Sequence, residues 1–244
     1  MVIVERLQKF IAEAGYTSRR KAEELIKDGK VEVDGKVITE LGTKVNGKEE
    51  IIVEGNLLKK EEKEYYLLNK PRRVITTVVD DKNRKTVVDI IDSEKRIYPV
   101  GRLDYDTTGV LLLTNDGEFS NILMHPNNKV EKVYVAKIKG IIKGEQINKL
   151  KNGVEIDGRK TEKCKVKLRK VDLKNNTSYV SLIIHEGRNH QVKKMFAAVG
   201  FEVLKLKRER VGIFTLSGLN SGEFRKLSPK EVSIIYSLKQ KSRN

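Results

Sequence analysis

One short segment of the chain carries the side chains best suited to chemistry. In GRLDYDTTGVLLLTNDG, residues 101–117, Asp104 lies in a polar stretch that leads into an apolar run. A loop next to a rigid strand is a good place to present a reactive carboxylate, and Arg102 is close enough in sequence to help keep Asp104 ionised. Two other interpretations stay open: Asp104 is an ordinary turn residue, or Asp104 and Asp106 chelate a metal as a D-x-D pair.

Two further segments hold polar side chains that can serve such a carboxylate. Tyr134 ends the run EKVY, although a single Tyr in a strand is more often packed in a core. In HEGRNHQVKKMFAAVG, residues 185–200, apolar residues recur at helical spacing and define one buried face. Asn189, Lys193 and Lys194 fall outside that face, so one of them can reach a neighbouring site.

These segments must be positioned by the strands and helices around them. Short β-branched and aromatic runs, interspersed with fewer helical patterns, predict an α+β domain with a mixed, mainly antiparallel sheet. The predicted strands are Tyr65–Leu68, Val74–Val79, Val110–Thr114, Val133–Ile138, Val166–Leu168 and Tyr179–Ile184.

The beginning of the chain has a different pattern. Apolar residues between Leu7 and Ala14 recur at helical spacing, Gly15 follows as a stop, and Ser18 can cap a second helix. The dipeptide at positions 34–35, Asp-Gly, then predicts the tight turn of a β-hairpin. Two helices and a hairpin form a unit near the lower size limit for independent folding.

A charge-dense segment separates this unit from the rest. Residues 57–64, LLKKEEKE, suit an inter-domain linker. We therefore expect a small domain at 1–60 and a larger, catalytic domain at 61–240. Through Lys63 the chain has 13 basic and 13 acidic residues, so its whole formal net charge of +16 arises downstream.

A basic cluster opens the second predicted helix. Arg19, Arg20 and Lys21 crowd its first turn, where the helix dipole disfavours cations, so their placement suggests a use. Together with Arg6 and Lys9 of the first helix they can form a phosphate-binding surface. The alternative is an ordinary solvated face.

Composition narrows the function further. A net charge of +16 favours a polyanionic partner, although a lysine excess can also serve solubility alone. The single cysteine, Cys164, suits a reducing cytoplasm and offers no thiolate cluster for a metal. We expect a soluble, cytoplasmic protein without a membrane-spanning segment. A phosphate-binding glycine motif is absent from the sequence, which argues against nucleotide hydrolysis.

The N-terminal unit resembles a known RNA-binding domain. RLQKFIAEAG followed by SRRKAEELIKDGKVEVDGKVI, from Glu5 to about Val53, is similar to the S4 domain of a ribosomal protein, tyrosyl-tRNA synthetases and several RNA-modifying enzymes. In that family the paired helices dock on structured RNA. The resemblance therefore favours RNA binding by the basic cluster.

The larger domain resembles the pseudouridine synthases of the RsuA and RluA families. GRLDYDTTG matches their G-R-L-D-x-D-T-[ST]-G motif, LNKPRRVITT their N-K-P strand motif, and EGRNHQVK the RsuA-type last motif. The resemblance implies that Asp104 is the catalytic residue, that Tyr134 lies against the target base, and that Lys193 pairs with Asp104. It implies neither metal nor other cofactor, and His190 is expected to be structural or RNA-facing.

The partner implied by the resemblance is a structured stem-loop of ribosomal RNA, bound by a monomeric enzyme during ribosome assembly. The residues expected to bind it are Arg6, Lys9, Arg19, Arg20, Lys21, Arg102 and Arg188.

The target subunit is less sharply indicated. RLQKFIAEAGYTSRRKAEELI, GRLDYDTTGVLLLTNDGEF and YVAKIKG resemble subfamily members that act on large-subunit (23S) RNA, which is the target we expect. HQVKKMFAAVG followed by RERVG is more similar to the small-subunit (16S) enzyme. Two other classes stay in view: a non-enzymatic RNA-binding protein, and a metal-dependent nuclease.

Overall fold

The structure, a computed structural model, describes residues 4–241. The chain forms two compact units. The first comprises the described residues up to Glu64, with the segments Ser93–Ile97 and Asn115–Gly117; the second comprises Tyr65–Asp92, Tyr98–Thr114 and the described residues from Glu118 onward.

The first unit has the predicted helices and hairpin. Gly15 adopts a positive φ of 76° after the first helix, and the Ser18 side chain accepts a hydrogen bond from the backbone N–H of Lys21 at the start of the second. Its elements are β1 (Glu5–Arg6), α1 (Leu7–Glu13), α2 (Arg19–Lys27), β2 (Val31–Val33), β3 (Lys36–Val37), β4 (Lys44–Val45), β5 (Ile51–Val53) and β6 (Asn56–Leu57). Strands β3, β2, β5 and β6 form one sheet in that order, and β1 pairs with β4.

The second unit contains the longer strands. Its elements are β7 (Tyr65–Lys70), α3 (Val88–Ile91), β8 (Tyr98–Val100), β9 (Thr108–Thr114), α4 (Gly117–Met124), a 3-10 helix (Pro126–Asn128), β10 (Lys132–Lys139), α5 (Gly144–Asn152), β11 (Glu155–Ile156), β12 (Arg159–Lys160), β13 (Lys165–Asp172), β14 (Thr177–Ile184), α6 (Gln191–Ala198), β15 (Val203–Val211), β16 (Phe214–Thr215), β17 (Phe224–Lys226) and α7 (Pro229–Lys241). None of the helices in residues 4–241 is both long and apolar enough to cross a bilayer.

A nine-stranded sheet organises this unit. Its strands follow the order β13, β14, β10, β15, β9, β7, β17, with β16 paired to β15 and β8 paired to β9. Only the β15–β9 pair is parallel; the other pairs in this sheet are antiparallel. The predicted α+β fold with a mixed, mainly antiparallel sheet is therefore confirmed.

The junction between the two halves of the sheet depends on one glycine. At the parallel pair, Gly109 of β9 lies opposite Arg208 of β15. Gly109 has a φ of 112°, and a Cβ added there would come within 2.1 Å of the Arg208 carbonyl oxygen. Because no other residue tolerates that approach, Gly109 fixes β9 against β15 directly after the Asp104 loop.

One predicted strand is wrong. Residues 74–79 form no ladder apart from an isolated bridge between Ile75 and Thr86. The β-branched residues Val74 and Thr76 are buried because the segment packs as a loop, and Arg73 just before it adopts a positive φ of 62°. Val74 and Thr76 are buried while Ile75 and Thr77 are half-buried, so the segment has the alternation of a strand although it pairs with no neighbouring strand.

Candidate active site

Asp104 lies in the loop between β8 and β9, with its side chain 28% exposed. The buried ammonium of Lys70, at the end of β7, holds this loop: it donates hydrogen bonds to the carbonyl oxygens of Asp104 (3.2 Å), Thr107 (3.1 Å) and Pro71 (3.1 Å). Lys70 is wholly buried, and this burial lowers its pKa to about 8. Sequence reasoning missed this residue, although it stands in the N-K-P motif.

The 74–79 loop supports the Asp104 loop from a second side. The Thr76 hydroxyl donates to the Leu103 carbonyl at 2.7 Å and accepts from the Leu103 N–H at 3.3 Å. The Arg73 N–H donates to the Tyr105 carbonyl at 2.8 Å. The backbone on both sides of Asp104 is therefore fixed by hydrogen bonds that leave its carboxylate available.

The two carboxylate oxygens of Asp104 have different surroundings. Oδ2 lies 3.1 Å from Lys193 Nζ and 3.2 Å from His190 Nδ1, and accepts a long 3.5 Å hydrogen bond from the Thr107 hydroxyl. Over residues 4–241, no hydrogen bond or ion pair involves Oδ1. One oxygen therefore orients the group, and the other is left for a ligand.

Lys193 lies between two carboxylates, because it also contacts Asp106 Oδ1 at 2.6 Å. Burial alone would lower the pKa of Lys193, but hydrogen bonds to Asp106 and Asp104 outweigh it and raise that pKa. Burial likewise would raise the pKa of Asp106, and the Lys193 hydrogen bond reverses this. In the D-x-D interpretation a metal ion would bridge these two aspartates; here the Lys193 ammonium does so.

The expectation that His190 is structural or RNA-facing stays a prediction. His190 precedes α6 with a φ of 51°, its side chain is 47% exposed, and its Nδ1 lies 3.2 Å from Asp104 Oδ2. Its spacing of three residues from Lys193 puts both side chains on the same side of this helical turn. That spacing was the available signal in the sequence.

Tyr134 lines the same cleft as Asp104 and is 9% exposed. Two buried cations lie on the same face of the sheet as Tyr134, Lys132 two residues before it on β10 and Arg208 opposite it on β15, and sequence reasoning missed Arg208. Arg208 donates to the Tyr134 hydroxyl at 3.3 Å and to the Val110 carbonyl at 2.8 Å. Lys132 donates to the His185 carbonyl at 2.9 Å, and burial, with the nearby Arg208 charge, lowers its pKa. Tyr134 thus lies in the wall of the cleft, and Arg208 holds its hydroxyl in place.

The two arginines expected to touch RNA near Asp104 both line the cleft. Arg102 is exposed. Arg188 is half-buried and already donates to the carbonyls of Arg159, at 3.1 Å, and Ile156 in the β11–β12 hairpin. Arg102 therefore has the more available guanidinium.

The basic cluster of the first unit is divided. Arg6, Lys9 and Arg19 line one cleft of this unit, and Arg20 is exposed nearby in sequence. In contrast, Lys21 pairs with Glu24 at 2.8 Å. Lys9 pairs with Glu5 at 2.9 Å and with Glu13 at 3.4 Å. Within residues 4–241 the three arginines of this cluster, Arg6, Arg19 and Arg20, have no ion pair, so they are its most available cations.

Comparison with known protein families identifies the class of this chain, which has two compact units and one oriented carboxylate in a cleft. A family model described as RNA pseudouridylate synthase matches residues 64–198, and a model of the S4 domain matches residues 5–51. The chain is therefore a member of the RNA pseudouridine synthase family, isomerases that act on RNA, and it carries an S4 domain. The predicted family is confirmed.

Particular relatives cover nearly the whole chain. Ribosomal large subunit pseudouridine synthase B of Bacillus subtilis is 54% identical over 242 residues, 99% of both chains. An uncharacterized RNA pseudouridine synthase of Aquifex aeolicus is 39% identical over 95% of this chain and 93% of its own. A crystal structure of a pseudouridylate synthase, 31% identical, covers 94% of this chain and 99% of its own with a TM-score of 0.66.

Proposed function

We propose that this protein isomerises a specific uridine of large-subunit (23S) ribosomal RNA to pseudouridine. Identity of 54% over 99% of both chains to a synthase named for the large ribosomal subunit supports this target. The observation that carries the chemistry is the Asp104 carboxylate, oriented through Oδ2 by Lys193 and His190 in a cleft that Tyr134 also lines.

The reaction asks little of the protein beyond geometry and charge. The bond between uracil N1 and the sugar breaks, the base turns within the pocket, and a bond forms between its carbon five and the sugar. Carbon five loses a proton and N1 gains one, so no group or electron is lost. A carboxylate that acts as a nucleophile or base, together with a closed pocket, suffices without a cofactor.

We assign the central role to Oδ1 of Asp104. Because the contacts to Lys193, His190 and Thr107 all fall on Oδ2, Oδ1 can approach the sugar without breaking them. Lys193 keeps the carboxylate ionised and oriented. The Tyr134 ring is the surface against which the uracil stacks, an interaction worth about 1–3 kcal/mol per base.

A uridine in folded RNA must leave its stack to reach this cleft, which costs a few kcal/mol. Arg102 is exposed at the mouth and is suited to fill the vacated space. We further propose that residues 1–60 are the RNA-binding domain and 61–240 the catalytic domain. The enzyme works as a cytoplasmic monomer on a stem-loop of an assembling ribosome.

Pseudouridine mapping in both ribosomal RNAs, from cells with and without this protein, tests the proposal. One site in 23S RNA should disappear with the protein and return with the wild-type chain, but not with Asp104→Asn. A missing site in 16S RNA would move the target to the small subunit, and unchanged maps would refute the function.

A further inference from the structure

The two faces of the nine-stranded sheet differ in character at its β13–β14–β10–β15 end. Successive side chains of a strand point to opposite faces. On β10, Tyr134 and Ala136 point to the cleft side, where Tyr134 lines the Asp104 cleft, whereas Val135 and Lys137 point to the opposite side. We call this opposite side the reverse face.

The register of the sheet collects cations on the reverse face. Lys137 lies opposite Lys205 of β15 and Tyr179 of β14, and Val135 lies opposite Lys207 of β15. On β13, Lys167 pairs with Ser181, which itself pairs with Val135, so it belongs to the same face. The basic residues of the reverse face are Lys137, Lys139, Lys165, Lys167, Arg169, Lys170, Lys205, Lys207 and Arg210.

Three carboxylates oppose part of this charge. Glu209 pairs with Arg169 at 3.1 Å and Glu131 with Arg210 at 2.7 Å, while Asp172 at the end of β13 accepts a hydrogen bond from Asn175 and lies near Lys137 and Lys170. In the described chain the lysines of the reverse face form no ion pair with a carboxylate. All of them are exposed except Lys137, which is half-buried. A surface with this excess of positive over negative charge repels itself, so it favours an anionic partner.

The layout fits the backbone of a nucleic acid duplex. With strands about 4.8 Å apart and side chains of one face about 6.6 Å apart along a strand, the four strands make the patch more than ~14 Å wide. A duplex presents one phosphate per ~1.7 Å of its axis, so such a patch meets several at once. Tyr179 adds an aromatic group at its centre, with Lys137 Nζ 5.6 Å from the ring centroid.

We propose that the reverse face is a second RNA-binding surface, which holds a duplex segment of the same ribosomal RNA apart from the segment in the cleft. This proposal depends on the proposed function only because it takes ribosomal RNA as the ligand. Duplex RNA is recognised mainly through its shape and phosphates, which exposed lysines spread over four strands of a sheet suit. The reverse face also accounts for part of the positive charge that arises after Lys63.

The test compares two triple variants of equal charge. In the first, Lys137, Lys205 and Lys207 are changed to Gln. In the control, Lys143 and Lys151 at the two ends of α5 and Lys230 of α7 are changed to Gln; these lysines are exposed, lie outside the reverse face and have no ion pair within residues 4–241. Binding to full-length 23S transcript and to a short stem-loop containing the target uridine is measured against salt concentration.

For the long transcript, the first variant should bind more weakly, and its slope of log affinity against log salt should be shallower by about 2–3 than that of wild type. The control should keep the wild-type slope, and both variants should modify the short stem-loop at the wild-type rate. Equal slopes in the two variants would overturn the proposal. Failure of the wild-type chain to modify either RNA would instead refute the proposed function.

Lysine footprinting of the wild-type chain gives a check that involves no variant. Lys137, Lys205 and Lys207 should be protected from acetylation by the long transcript and remain reactive with the short stem-loop. Protection by acidic phospholipid vesicles instead of the transcript would assign the face to a membrane surface and overturn the proposal. Reactivity unchanged by the transcript would do the same.

Discussion

Cations on the cleft face of the sheet are buried and hydrogen-bonded, whereas the lysines of the reverse face are exposed, apart from the half-buried Lys137, and form no ion pair with a carboxylate within residues 4–241. Lys70, Lys132 and Arg208 each donate to named carbonyl or hydroxyl oxygens. Lys205 and Lys207 are in solvent. A buried cation must have fixed partners because an unpaired charge is expensive there. The cations of the cleft face therefore hold the surrounding backbone and side chains in place, whereas those of the reverse face are suited to attract the phosphates of RNA.

The largest effect on activity is expected at Asp104, the carboxylate in the cleft. Asp104→Asn keeps the shape of the side chain but removes its charge, so product formation should fall by at least about 10³-fold, within the range of acid–base and nucleophilic contributions. Single-turnover tritium release measures the rate, and filter binding should give an unchanged affinity for RNA.

Asp106→Asn is the matched control, since Asp106 shares the Lys193 ammonium but is more exposed. It should retain most of the activity. Full activity of Asp104→Asn, or equal losses in the two variants, would contradict the assignment.

The next largest effect concerns Lys70. Lys70→Met fills the same space without donors, so the carbonyls of Pro71, Asp104 and Thr107 lose their partner. Each buried acceptor without a donor costs about 1–3 kcal/mol. Urea unfolding should show a clear loss of stability, and kcat should fall more than affinity for RNA. As a control, Lys205→Met on the reverse face should change neither the stability nor kcat. Equal losses of stability and kcat in the two variants would contradict the role of Lys70 in holding the loop.

The sequence could predict the parts of this site that lie in continuous motifs. GRLDYDTTG and EGRNHQVK located Asp104 and Lys193, and alternation and turn residues located most strands and the two N-terminal helices. Lys70 and Arg208 were missed because a lysine or arginine in a strand looks like a surface residue. Only the tertiary fold shows that both are buried. The strand expected at 74–79 was wrong for the converse reason, since a buried loop also collects β-branched residues.

A smaller effect is expected at the cleft wall. Tyr134→Ala removes the stacking ring and should lower kcat/KM by roughly 5- to 150-fold, which corresponds to about 1–3 kcal/mol per base. Tyr134→Phe keeps the ring and removes only the hydroxyl that accepts from Arg208. Steady-state kinetics should give a much smaller loss for Phe. Equal losses would show that the hydroxyl, not the ring, matters.

The depressed pKa of Lys70 predicts a stability effect with an unusual sign. Between pH 8 and 10.5 the unfolded chain binds a proton at Lys70 that the folded chain has released. The free energy of unfolding contributed by this group therefore rises with pH across that window. Urea unfolding at several pH values should show wild type gaining stability relative to Lys70→Met above pH 8. A constant difference between the two would contradict the burial effect.

The smallest effect is expected in the S4 domain, where exposed arginines resemble the reverse face more than the cleft. Arg19 and Arg20 have no ion pair within residues 4–241, so Gln at both positions removes two available charges. The salt slope for RNA binding should become shallower by about 1.4–1.8, KM should rise a few-fold, and kcat should stay unchanged. Lys21→Gln, which breaks the contact with Glu24, should change the slope less because that charge is already compensated. A fall in kcat for the double arginine variant would mean that this domain shapes the reacting geometry and does more than hold the RNA.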